Sequence, residues 1–144
     1  MTEVDFYVLP SEELEPRLTT VCRLAEKAAA LGQRVHVYSE DANLLAQLDD
    51  SLWSFRAVSF VPHVILRAGD DPQDFIDDPV HLSAHEPALD RRVLINLAAT
   101  VPPFFSRFER TLEVINDEPA VKRAGRERYR FYRERGYPLR HHAL

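Results

Sequence analysis

The sequence predicts an α/β fold: a single domain with a mostly parallel sheet flanked by helices, Rossmann-like in topology but without a phosphate-binding loop. Three observations carry that prediction. A strand-like run, an amphipathic helix and a second strand-like run follow one another within residues 1–38, and such a βαβ unit joins parallel strands through a right-handed crossover. Further strand and helix patterns then alternate along a chain of 144 residues, a length suited to one core. Finally, the only glycines are Gly32, Gly69, Gly125 and Gly136, and none stands in G-x-G-x-x-G or in a phosphate loop.

Val4–Leu9 is almost continuously apolar, as expected of a strand covered on both faces. Pro10 ends it, and Ser11 with Glu12 and Glu13 opens a helix, the acids near the positive end of its dipole. Leu14, Leu18, Val21, Cys22, Ala25 and Ala28 recur at helical spacing up to Gly32, a C-terminal helix glycine. Arg34–Tyr38 alternates as a strand. Asp41 caps a second helix carrying Leu44, Leu45, Leu48 and Leu52. Gly69–Asp78 reads as a long polar loop, and His81–Ala84, Arg92–Leu97 and Thr111–Asn116 as later strands. The last helix starts near Asp117–Glu118–Pro119 and runs to about Arg135 and Gly136. The domain spans 1–144, with 138–144 expected to be a flexible tail.

No apolar run approaches the roughly 20 residues that span a bilayer, and the N-terminus lacks the layout of a secretory signal. One cysteine, Cys22, leaves no disulfide framework and sits on the apolar face of the first helix. A cytoplasmic setting is the expectation. His81 and His85 lie near Asp77 and Asp78, but i and i+4 do not converge on a strand, so the reading is polar surface rather than metal site. His141 and His142 read as solvated tail. No serine stands in a nucleophile elbow, and glutamates at the first helix start would repel a phosphate. Neither catalysis nor a cofactor is expected.

Charge is distributed unevenly. Of the 18 Lys/Arg and 23 Asp/Glu, residues 122–140 hold eight basic against two acidic, leaving ten basic against 21 acidic elsewhere. An acidic body with one basic element fits an acidic partner at one place. On a helix Lys122, Arg126, Tyr129, Arg130 and Arg133 share a face. Arginine offers a carboxylate a bidentate fork, lysine a point charge, and Tyr129 a flat apolar surface. Gly125 costs up to about 1 kcal/mol against alanine in a helix, which a close approach would justify. A simply solvated helix face accounts for the same charges. A third reading is direct binding of single-stranded nucleic acid by the stripe, with Tyr129, Phe131, Tyr132 and Tyr137 as stacking rings.

Leu48–Trp53 (LDDSLW), Ser59–His63 (SFVPH), Val93–Leu97 (VLINL) and the K-x-x-x-R-E-R-Y-R-x-Y-R-x-x-G-Y pattern of Lys122–Tyr137 resemble, in order and spacing, the chi subunit of bacterial DNA polymerase III. The resemblance implies a non-catalytic replication adaptor between the clamp loader, reached through a psi-like subunit, and the acidic C-terminal tail of single-stranded-DNA-binding protein. It would touch DNA only indirectly. By resemblance Ile115, Lys122, Arg126, Tyr129 and Arg130 fall on the tail-binding positions, and Trp53, Phe60 and Pro62 on the psi-facing surface. In the family that surface also takes a helicase-like partner. From the residues alone, Trp53 would instead end a core stripe. Val64–Pro87 and Pro138–Leu144 depart from the family pattern.

Overall fold

The computed structural model describes residues 1–56 and 60–144. One sheet of seven strands runs through it: β1 (Glu3–Val8), β2 (Val35–Tyr38), β3 (His63–Leu66), β4 (Val80–Ser83), β5 (Val93–Asn96), β6 (Arg110–Ile115) and β7 (Leu139–Ala143). They lie in the order β3-β4-β2-β5-β6-β1-β7, and every neighbouring pair is parallel. The expected parallel α/β architecture with Rossmann-like topology is what forms.

Alternation along the strands divides the core in two. Val35, Val37, Val93, Ile95, Leu112 and Val114 turn to the face covered by α1 (Leu14–Ala30) and α2 (Ala42–Ser54). Val4, Phe6, Tyr38 and Leu94 turn to the other face, under α3 (Pro119–Glu134) and the ring cluster Phe104, Phe105 and Phe108. The inner strands β1, β2, β5 and β6 therefore serve two buried layers, which is why their sequence runs read as largely hydrophobic.

Helix ends follow their local chemistry. The Asp41 carboxylate accepts from the amides of Asn43 (2.9 Å) and Leu44 (3.2 Å) at the start of α2. Glu118 accepts from the Val121 amide at 3.0 Å, with Pro119 opening α3. Gly32 takes φ +74° after α1, and paired bonds from Gly32 to Ala29 and from Gln33 to Ala28 close that helix. α1 starts at Leu14, three residues later than Ser11 suggested. The Asp117 amide donates to the Ser11 carbonyl and Asn116 donates to the Glu13 carbonyl, which hold that stretch as an extended link.

Two strands escaped the sequence. β3 begins at the last residue of SFVPH and runs into the segment for which no strand was expected, and it forms the sheet edge beside β4. β7 overturns the flexible-tail expectation for 138–144. It pairs with β1 from Val4↔Leu139 to Val8↔Ala143, and its apolar pattern is weak because charge holds it. Arg140 Nε and His142 Nε2 approach Asp5 Oδ1 at 3.0 and 2.9 Å, and His142 stacks on Tyr7 at 4.5 Å. His142 is therefore not a free tail residue. Burial alone would raise the Asp5 carboxyl. Hydrogen bonds from Arg110 and His142, with the charges of Arg110 and Arg140, outweigh it and hold the group below its ordinary value. Gly69–Asp78 is the expected loop, interrupted by a single 3-10 turn, Pro72–Phe75.

His36 on β2 is buried, with Nε2 on the His85 carbonyl and Nδ1 unpartnered. Burial lowers its pKa from 6.5 to about 4, so the folded state keeps a neutral imidazole. Above the unfolded value of 6.5 its contribution is complete. As pH falls towards the folded value of about 4, the unfolded state takes up the proton first and stability declines. A shift of this size is worth about 3 kcal/mol. Urea unfolding from pH 7 to pH 4 should show that decline, and His36→Gln should flatten it.

Candidate docking site

β6 carries Glu113 into the layer beneath α3. Its side chain is fully buried, and three groups converge on it: Arg128 Nε at 3.0 Å, Tyr132 Oη at 2.8 Å and Asn96 Nδ2 at 3.0 and 3.2 Å. Burial, then the Glu113 charge, drives the Tyr132 phenol well above its ordinary range, so it remains a donor. These bonds fix the rotation of α3 about its axis. Arg128 and Tyr132 point inward, and the flank bearing Lys122, Gly125, Arg126 and Tyr129 faces β1 and β7.

On that flank lies a cleft of about 250 Å³. Its floor is apolar: Phe6 and Val8 from β1 and Ile115 from the end of β6. Tyr129 forms one wall, its ring edge-on to Phe6 at 5.1 Å. Lys122 and Arg126 stand at the rim, with Asn116, Asp117 and His141. Lys122 Nζ is 3.7 Å from Asp117, a long and exposed contact, whereas Arg126 and Arg130 have no ion pair among the described residues. The cleft is thus a greasy slot under an uncommitted guanidinium, which can hold a carboxylate above an apolar side chain.

Gly125 makes the slot possible. A Cβ built there would stand 2.9 Å from Ile115 Cγ2 and 3.0 Å from Cδ1. Helix propensity favours alanine by up to about 1 kcal/mol, so close packing on Ile115 opposes the propensity gain and glycine brings the helix against the sheet.

Of the five residues singled out for a tail, the structure gathers Ile115, Lys122, Arg126 and Tyr129 around one cleft. Arg130 is exposed one turn further and does not line it. Phe6, Val8 and His141 were missed. Phe6 and Val8 had a signal in the β1 alternation, but His141 became visible only with β7. The rings proposed for stacking nucleic acid are largely occupied: Tyr132 is fully buried, and Phe131 and Tyr137 pack edge-on against Phe105 at 5.9 and 4.9 Å.

A second surface forms near the end of α2. Trp53 is 61% exposed and Phe60 51%, and their rings stack at 4.6 Å. Trp53 is therefore not a core residue. Pro62 is exposed beside buried Val61, and His63 closes edge-on against Trp53 at 5.2 Å. Ser59, the first residue of the SFVPH segment, lies outside the described residues. His81, read above with His85 as polar surface, is instead buried on β4 with Nε2 on the Phe75 carbonyl, and no metal-holding cluster of His, Cys, Asp and Glu is present among the described residues. Nor, among those residues, is any helix long and apolar enough to cross a membrane.

Fold and cleft together define an α/β domain whose open, basic-rimmed slot lies beside a helix packed on a parallel sheet. Residues 1–140 match the family model described as DNA polymerase III chi subunit, HolC, and the chain belongs to that family. It is thereby an accessory, non-catalytic subunit of the replication machinery. It is 43% identical to the DNA polymerase III subunit chi of Pseudomonas aeruginosa, covering 100% of this chain and 98% of that protein. To the Escherichia coli subunit it is 29% identical, over 96% of both. Among solved structures, T4 UvsW superposes with a TM-score of 0.72 at 6% identity, covering 99% of this chain and 41% of that one. That likeness concerns the fold alone.

Two opposed terms meet in Gly125→Ala: the helix gain and the clash with Ile115. We expect a net loss of about 1–2 kcal/mol in urea unfolding. The double variant with Ile115→Ala should lose less than the two single losses combined, by 0.5 kcal/mol or more, as contacting residues do.

Proposed function

We propose that this chain links the clamp loader to single-stranded-DNA-binding protein, receiving the acidic C-terminal tail of the latter in the α3 cleft. The observation that carries this reading is the pairing, in one slot, of an apolar floor with the unpaired guanidinium of Arg126. An acidic tail ending in an apolar residue presents the complementary pair: a side chain for Phe6, Val8 and Ile115, and a free carboxylate for Arg126 and Lys122. Upstream acids of the tail would then meet Arg123, exposed beside Lys122 and Arg126 on the adjoining helix surface. Arg130 has the role of a longer-range cation. The location proposed is the cytoplasm, where replication proceeds.

Calorimetry with an acidic tail peptide tests the assignment. Arg126→Ala should weaken binding by about 10–100-fold, the usual loss for a hydrogen bond to a charged group. Omitting the terminal apolar residue should weaken it comparably, and added salt should weaken it further through screening. Undiminished affinity in Arg126→Ala would remove the cleft from the account. Tight binding of oligonucleotides with a steep salt slope would favour the nucleic-acid reading instead.

The exposed Trp53–Phe60 stack with Pro62 supports a second docking surface, for a psi-like subunit or a helicase-like protein in its place. Paired aromatics at a surface are the usual anchors of a protein interface. Co-expression of Phe60→Asp with the psi-like partner should abolish co-purification while leaving tail-peptide affinity unchanged. Retained co-purification would refute the placement.

A further inference from the structure

The opposite flank of α3 carries a cavity that the tail reading does not use. It holds about 160 Å³ and lies beyond the ends of β5 and β6, between Leu97–Ala99, the first turns of α3 and the start of α1. In open α/β sheets this is the edge where ligands collect. Two arginines reach it from opposite faces of the sheet: Arg17 from α1 and Arg128 from α3.

Both side chains are buried and incompletely paired. Arg17 is 6% exposed and Arg128 3%. Arg17 Nε donates to the Val114 carbonyl at 2.8 Å, and neither of its terminal nitrogens has a hydrogen bond among the described residues. Arg128 spends Nε on Glu113 and Nη1 on the Ala99 carbonyl, and its Nη2 is buried with no partner. The unmade bond at the buried Arg128 Nη2 is costly, whereas the Arg17 terminal nitrogens are not sealed from solvent.

Arg17 is not in contact with any carboxylate among the described residues. Glu113 is the one carboxylate ion-paired with either arginine among the described residues, and both its oxygens are already engaged by Arg128, Asn96 and Tyr132. Glu118 is spent on the Val121 amide and makes no ion pair with Arg17. Arg17 thus has no contacting carboxylate, although the charges of Glu113 and Glu118 act on it from a distance. Burial and the neighbouring Arg128 lower Arg17 only to about 10, so it stays protonated at neutral pH. The first turn of α3 adds the Ala120 amide, a donor without an intrahelical acceptor, and the positive end of the helix dipole.

We propose that this cavity is a binding site for a single carboxylate group, held between Arg17 and the first turn of α3 with Arg128 behind it. A cavity of about 160 Å³ with mostly apolar lining suits one carboxylate better than a bulkier, more heavily hydrated phosphate. The small apolar walls, Leu97, Ala98, Ala124 and Val121, accept a short aliphatic stem and exclude a hydrated ion. The carboxylate can arrive as a free small acid or as an acidic side chain of a partner. This site is separate from the tail cleft and does not depend on that reading.

Nitrogen-15 NMR of the whole chain, titrated with propionate at constant ionic strength, tests it. The Arg17 Nε–H and the amides of Ala98, Ala120 and Val121 should shift together and saturate. A capped aspartyl peptide forms the second arm, and tighter binding of that peptide than of propionate assigns the source to a partner side chain. Arg17→Gln should weaken either ligand by about 10-fold or more. Inorganic phosphate should bind more weakly than propionate. The wild-type amide shifts decide the matter even if Arg17→Gln proves unstable. Absence of saturable shifts at these groups with both carboxylates, or phosphate binding more tightly than propionate, would overturn the proposal.

Discussion

The buried Glu113 carboxylate is the contact on which the surface arrangement rests. It sits on a central strand with its side chain wholly out of water, and it is tolerated because Arg128, Asn96 and Tyr132 occupy both oxygens. A buried ion pair of this kind adds little net stability, yet removing one partner costs about 3–5 kcal/mol because the other charge is stranded. Its consequence is therefore specificity of orientation. With Arg128 and Tyr132 pinned inward, the helical period turns Lys122, Arg126 and Tyr129 outward along the β1 side. A basic helix of uniform appearance is thereby sorted into one structural arginine and several free ones.

Close packing makes that orientation useful. Gly125 brings α3 to within contact of Ile115, and Phe6 and Val8 complete an apolar floor at the depth of the sheet surface. β7 supplies the remaining edge through His141, and β7 in turn depends on Asp5, which binds Arg140 and His142. The cleft is consequently assembled from elements distant in sequence, with β1 at the centre. Each is held by a different interaction: a buried ion pair, a glycine contact and a carboxylate clamp.

Much of this was legible beforehand, for physical reasons. Continuous apolar runs, Asp41, Pro119 and Gly32 announced the parallel sheet and its helices, since such signals are local. The concentration of cations after Lys122 marked α3 as the one basic element, and family resemblance named four of the residues that line the cleft. What stayed hidden was non-local. β7 has a polar sequence whose pairing rests on Asp5, more than 130 residues away, so Pro138–Leu144 looked like a tail. Trp53 continues a leucine stripe, and only the tertiary position of Phe60 shows that the stripe ends in solvent. The inward turn of Arg128 could not be read from a run of similar arginines, because it is fixed by Glu113.

Membership of the chi family explains why an α/β sheet of this kind carries no phosphate loop: its accessory role calls for surfaces, and the fold supplies a rigid platform for them. The central claim is that α3 and β1 form one slot for an acidic chain terminus. A co-crystal structure with an acidic peptide bearing a free C-terminal carboxylate tests it most directly. The account predicts the carboxylate at Arg126 and Lys122, with the terminal side chain against Phe6, Val8 and Ile115. A peptide seated elsewhere, or one lying along α3 with its terminus outside the slot, would contradict it.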